Sequence, residues 1–158
     1  MITVHARTRN QFFKGKAQWE KIREIKDEIS IPVIVNGDIV DMRSAQLALN
    51  ASRADGVMIG RGALGKPWLI QDISYQIYNA HGVKLNNFVS LDKLITSHLG
   101  RILSFYGKEN GVNIFRKHLA GYLNSLPVDK KVKRSLMTEI SSIELEKKKL
   151  KVYFVKKK

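Results

Sequence analysis

Two glycine-rich stretches carry the residues with the most chemistry to offer. Asn36-Gly37-Asp38 closes one short apolar run, Pro32–Val35, and Gly60-Arg61-Gly62 closes another, Gly56–Ile59. Glycine lets a backbone come close to a ligand, and an arginine beside it presents a planar fork of donors suited to phosphate. Gly60 and Arg61 are therefore candidate phosphate-binding residues. Ala63, Leu64 and Gly65 follow closely enough to form a short helix whose N-terminus adds positive dipole. The plainer alternative is a pair of tight β-to-α turns, with Asp38 as a helix cap. His5 and Arg7 are a second candidate pair. They follow the Ile2–Val4 run on alternate positions and so project the same way from an extended chain. A histidine at a strand end also has a purely structural use.

These residues need elements to hold them. Pro32–Val35 and Gly56–Ile59 are too short for helices and rich in β-branched residues. Between them Met42, Ala45, Leu47, Ala48 and Leu49 form an apolar face at helical spacing. Strand, loop, helix, strand, loop makes a βαβ unit, with parallel strands and both glycine-rich loops at one end. In parallel α/β folds that end binds ligands, and loop N–H groups there meet phosphate. Upstream, Trp19, Ile22, Ile25 and Ile29 predict an amphipathic helix over residues 18–28, ended by Ser30-Ile31-Pro32. Asn10–Ala17 reads as a loop with Phe12 and Phe13 exposed. Residues 1–60 thus read strand, helix, strand, helix, strand, and a chain opening directly on a strand is expected to begin inside a larger architecture.

After Pro67, the residues Trp68, Leu69, Ile73, Ile77 and Tyr78 mark a further helix, ending near Ala80-His81-Gly82. Val83–Val89 is the candidate linker, dividing the chain into residues 1–82 and 83–158. Beyond it the pattern is helical only. Ser90 is placed to cap a helix carrying Leu91, Leu94, Ile95, His98, Leu99, Ile102 and Phe105. Gly107 ends it, and Gly111 precedes a second helix running to Leu123. Pro127 and Asp129 open a third, with Val132, Leu136, Met137 and Ile140 inward. Ser141-Ser142 leads into a last helix and a lysine tail. Four short helices make a small bundle.

Composition sets outer bounds. The chain has 158 residues, enough for a core but short of the roughly 250 residues of a complete TIM barrel. It contains no cysteine, which excludes disulfides and thiolate metal sites, and its four histidines lack zinc-site spacing. No Ser/His/Asp or Cys/His arrangement can be assembled. His81 and His98 show no partners. Neither a signal peptide nor a membrane-spanning run is present, so a soluble, cytoplasmic protein is expected. The formal net charge is +14, and it is uneven: residues 1–80 hold 11 Lys/Arg against 8 Asp/Glu, residues 81–158 hold 17 against 6. A basic half suggests a polyanion, and RNA is the obvious one. The Lys147–Lys149 and Lys156–Lys158 runs also fit a merely lysine-rich composition.

NGDI followed by ADGVMIGRGALGKPW, with HARTR upstream and FRKH downstream, resembles the C-terminal half of the bacterial tRNA-dihydrouridine synthases. The resemblance implies a fold class of α/β: a partial TIM barrel of three parallel β/α units, then a small all-α bundle. It implies FMN-dependent reduction of uridine in tRNA, with NAD(P)H as reductant. By the same resemblance His5, Asn36, Gly37, Asp38, Gly60 and Arg61 bind the flavin, with Gly60 and Arg61 on its phosphate. Arg7 lies toward flavin or substrate, and Arg116 and Lys117, in the RKH segment, contact tRNA. The family pattern HGRTR is HARTR here, with Ala6 in place of glycine. In relatives a cysteine from the first half of the barrel is the general acid, and a lysine from an earlier strand touches the flavin. This chain matches only the region after both. It is therefore expected to be inactive alone and to need the preceding five β/α units, for which a separately encoded half-barrel is one source. The alternatives are a non-catalytic RNA-binding remnant, or part of another FMN- or phosphate-binding barrel oxidoreductase such as dihydroorotate dehydrogenase. The RKH segment and the helical extension argue against the last.

Overall fold

The computed structural model describes residues 1–12, 14–78, 91–125 and 129–138. The chain divides into two compact units, Met1–Gly82 and Val83–Lys158. The fold is α/β, a partial barrel of three parallel β/α units, with a helical unit after it.

In the first unit β1 (Ile2–His5), β2 (Val33–Asn36) and β3 (Gly56–Met58) form a parallel sheet in the order β1-β2-β3. Helices α1 (Glu20–Glu28) and α2 (Met42–Ser52) make the two crossovers, and α3 (Leu69–Tyr78) follows β3. Register places Val4 beside Val35 and Val35 beside Val57. That row faces the helices, where Ile22, Val33, Val35, Ala45, Ala48, Leu69 and Ile73 form the core. The neighbouring row, His5, Asn36 and Met58, points to the opposite face, and His5 and Met58 are exposed. Alternation along each strand thus gives one face to packing and the other to the barrel interior.

Two helices depart from the expected pattern. Leu47, expected on the apolar face of α2, is 49% exposed; Ala45, Ala48 and Ser52 face the sheet instead. Small side chains there let the helix lie close. The buried Ser52 hydroxyl is satisfied by donating to the Ala48 carbonyl at 2.6 Å. On α1, Ile22 is buried but Ile25 is 38% exposed. Asp41, not Asp38, caps α2: its carboxylate accepts the Ser44 N–H at 2.7 Å. At the opposite end of the sheet Asp55 accepts the Val33 N–H at 2.7 Å and pairs with Lys26 at 2.8 Å, which fastens α1 to the strands.

In the second unit α4 (Leu91–Tyr106) packs against α5 (Lys108–Asn124), and α6 (Lys130–Thr138) packs on α5. Ile95, Leu99, Phe115, Leu119 and Leu123 fill the seam. The second helix starts at Lys108, four residues before the expected place, and runs through Gly111. That glycine is a packing device: a Cβ there would lie 2.9 Å from Leu103 Cδ2 and 3.1 Å from Leu103 Cα. Asp129 opens α6, its carboxylate accepting the Lys131 N–H at 2.7 Å. Phe13, His81, the 83–89 linker, Ser90, Pro127, Ile140 and everything from residue 141 lie outside the described residues. No helix among those described is long and apolar enough to cross a membrane.

Candidate functional site

Three loops leave the C-terminal ends of the strands and carry Arg7, Gly37, Asp38, Gly60 and Arg61, while His5 and Asn36 are the last residues of β1 and β2. The first, after β1, is stitched back across the sheet: the Ala6 N–H donates to the Asn36 carbonyl at 2.8 Å, and the Gln18 N–H to the Ala6 carbonyl at 2.7 Å. Ala6 is buried and keeps an ordinary negative φ, so this position does not require glycine.

His5 and Asn36 are in direct contact on the open face. Asn36 Nδ2 donates to the Met58 carbonyl at 2.8 Å, which leaves its Oδ1 to accept from His5 Nδ1 at 2.6 Å. That orientation puts the proton of a neutral His5 on Nδ1 and makes Nε2 the acceptor. A hydrogen-bonded row thus crosses all three strands at the end where the loops begin.

Gly37 has φ +126, a conformation that side chains rarely adopt, and a Cβ there would meet Ala17 Cβ at 3.2 Å and the His5 ring at 3.5 Å. Trp19 Nε1 donates to the Gly37 carbonyl at 2.9 Å. Trp19, expected as part of the α1 apolar stripe, therefore also holds the loop in place. The only sequence signal for this was an indole N–H that needs an acceptor when partly buried.

Arg7 does not reach outward. Its side chain is 3% exposed; Nη2 donates to the Gly15 carbonyl at 2.9 Å and to the Asp38 carboxylate. Nε and Nη1 are buried with no hydrogen-bond partner among the described residues. Asp38, at φ +54, also accepts the Ala17 N–H at 2.8 Å. The Arg7 guanidinium holds the Asp38 carboxyl below its ordinary range. Partial burial opposes this, while the Ala17 N–H and the positive charge of Arg61 reinforce it.

Arg61 is exposed on the third loop, in a single 3-10 turn, Arg61–Ala63, capped by Gly60. The turn is too short for the dipole that a helix over 63–65 would supply. A Cβ on Gly60 would have nothing within 4 Å, so backbone and open space coincide there. Gly62 is the reverse: its Cβ would lie 2.2 Å from the Ile39 carbonyl oxygen. Gly62 brings the third loop against the second, so Asn36–Asp38 and Gly60–Arg61 stand side by side.

Arg116 and Lys117 sit on α5 in the second unit. Lys117 is exposed, and the half-buried Arg116 donates from Nη1 to Asn113 Oδ1 at 3.2 Å. His98 has a partner that the sequence did not show: its Nδ1 lies 3.0 Å from the Tyr122 hydroxyl. Its ring also lies 4.7 Å, centroid to centroid, from that of His118. No group of three or more potential metal ligands occurs among the described residues.

Successive parallel β/α units with their loops at the C-terminal edge define part of a β/α barrel. Comparison with known proteins gives the family. Residues 1–157 match the family model described as dihydrouridine synthase (Dus), and the chain belongs to that family. It is 46% identical over 127 residues to a probable tRNA-dihydrouridine synthase of Rickettsia prowazekii, covering 80% of this chain and 39% of that protein. With tRNA-dihydrouridine synthase B of Proteus vulgaris it shares 36% over 154 residues, covering 97% of this chain and 47% of the relative. The chain spans less than half the length of these relatives.

Proposed function

We propose that this chain supplies the phosphate side of an FMN site and a tRNA-binding unit to a tRNA-dihydrouridine synthase. The observation that carries the reading is the meeting of the second and third loops at Gly62, which sets Asn36–Asp38 beside Gly60 and Arg61. The residues present fit a phosphate-bearing cofactor. Open space adjoins the Gly60 backbone, and Arg61 is an exposed cation on the same loop. FMN, when bound, would supply hydride chemistry to a uracil, with NAD(P)H as the source of reducing equivalents.

This chain's own residues bind and orient. Gly60 and Arg61 hold the phosphate, and the Asn36–Asp38 loop closes its other side. His5, fixed by Asn36, presents Nε2 on the open face toward the flavin. Arg116 and Lys117 attract the tRNA backbone, which gives affinity rather than sequence choice. With no cysteine in the chain, a cysteine general acid comes from another segment or another chain. The chain alone makes no dihydrouridine, because the surfaces that would fix the ring against the substrate are absent from three β/α units. Lost positioning of that kind is worth roughly 7–11 kcal/mol, more than the loss of one general acid.

Titration of the purified chain with FMN and with riboflavin, read by flavin fluorescence, tests the site. FMN is expected to bind more tightly, and Arg61→Ala to remove about tenfold of that preference, the size of one charge-assisted contact. Equal affinity for the two flavins would refute the phosphate site. Dihydrouridine formed by the chain with FMN, NADPH and unmodified tRNA would refute the dependence on a second half.

A further inference from the structure

We propose that Arg7 is a positioning residue: it cancels the charge of Asp38 beneath the phosphate loops and ties the first loop to the second, so that a phosphate meets a neutral pair instead of a carboxylate. The inference rests on the FMN-phosphate reading above.

The arginine of the HARTR segment has the sequence profile of a ligand contact, but its side chain is 3% exposed. Its Nη2 spans the Gly15 carbonyl of the first loop and the Asp38 carboxylate of the second. Asp38 Oδ2 in turn accepts the Ala17 N–H at 2.8 Å, so the first loop is held to Asp38 at two points. Asp38 itself is 35% exposed, close enough to the site for its charge to be felt there. Gly62 lies against Ile39, the residue after Asp38, which sets Arg61 and any anion bound beside it within reach of that carboxylate. An uncompensated carboxylate next to a phosphate dianion would oppose binding. The buried guanidinium supplies the compensation from below, without occupying ligand space.

A contact residue and a charge-compensating residue behave differently under double substitution. The full chain is prepared as wild type, Arg7→Met, Asp38→Asn and the double variant, and each is titrated with FMN and riboflavin. Arg7→Met is expected to lower the FMN-to-riboflavin affinity ratio about tenfold, because it exposes the carboxylate charge. Asp38→Asn in the Arg7→Met background is expected to restore the ratio, since no carboxylate remains to be cancelled. Asp38→Asn alone is expected to raise the ratio, because the Arg7 charge beneath the loops is then left uncancelled.

If the double variant stays as low as Arg7→Met, or if riboflavin loses affinity as much as FMN does, the compensation is overturned while the phosphate site stands. If wild type itself does not prefer FMN, the phosphate reading falls and this inference with it. Should Arg7→Met fail to fold, Asp38→Asn decides: a lowered ratio would make Asp38 a ligand contact and overturn the proposal.

Discussion

Arg7 and Asp38 are the residues whose behaviour the sequence left least visible. Alternation along an extended chain puts His5 and Arg7 on one side, but the rule lapses once the strand ends, and Arg7 turns under the loops to a partner 31 positions away. Breaking the pair leaves a partly buried carboxylate unmatched, so Arg7→Met should destabilise the fold by about 1–3 kcal/mol in urea titrations. The same pair has a pH signature. The Asp38 pKa is lowered in the folded state, so that state binds fewer protons than the unfolded chain in this range. The contribution is complete above the ordinary carboxylate value of about 3.9 and drains away as pH falls through the depressed one. The stability gap between wild type and Asp38→Asn should therefore be wide at pH 6 and narrow at pH 3. A gap independent of pH would show that the carboxylate charge is not what stabilises the loop.

Elements were legible wherever a short β-branched run stopped at small residues, as at Val33–Asn36 and Gly56–Met58. They were illegible where glycine serves packing. Gly111 reads as the residue before the second helix because local propensity is all that a sequence displays, yet it lies inside α5 where Leu103 comes too close for a Cβ. Gly62 reads only as part of a glycine-rich loop, yet the close neighbour its missing side chain admits is the Ile39 carbonyl. Gly62→Ala should cost about 1–3 kcal/mol and weaken FMN binding together with stability, because backbone must move to admit the methyl group. Thermal melting paired with flavin titration would separate this from a pure ligand effect. The α4–α5 seam carries its own sensitivity. Burial lowers the pKa of both His98 and His118, with Arg101 adding at His98, and His98 and Lys117 adding at His118. The stability they contribute is full above the ordinary histidine value of about 6.5 and is lost as pH falls below it through the lowered folded values. The melting temperature should drop between pH 7.5 and pH 5, and His118→Asn should flatten that drop.

At the scale of the whole chain, charge and length govern what can be measured. The uneven +14 charge predicts tRNA binding with a steep salt dependence. Removing Arg116 and Lys117 together should weaken binding across tRNA sequences and flatten the slope of log affinity against log salt by about 2, one per lost phosphate contact. Filter binding at several salt concentrations would show it; an unchanged slope would make that helix face a bystander. The strand order β1-β2-β3 also bears on how the sheet comes into being. Each strand pairs with the one before it, Ile2 with Val33 and Ile34 with Gly56, across intervals of 31 and 22 residues. Closing such intervals costs only slowly growing entropy, and neither pairing waits for a distant segment. A nascent chain can therefore lay its sheet down strand by strand as it emerges, each new edge serving as the template for the next.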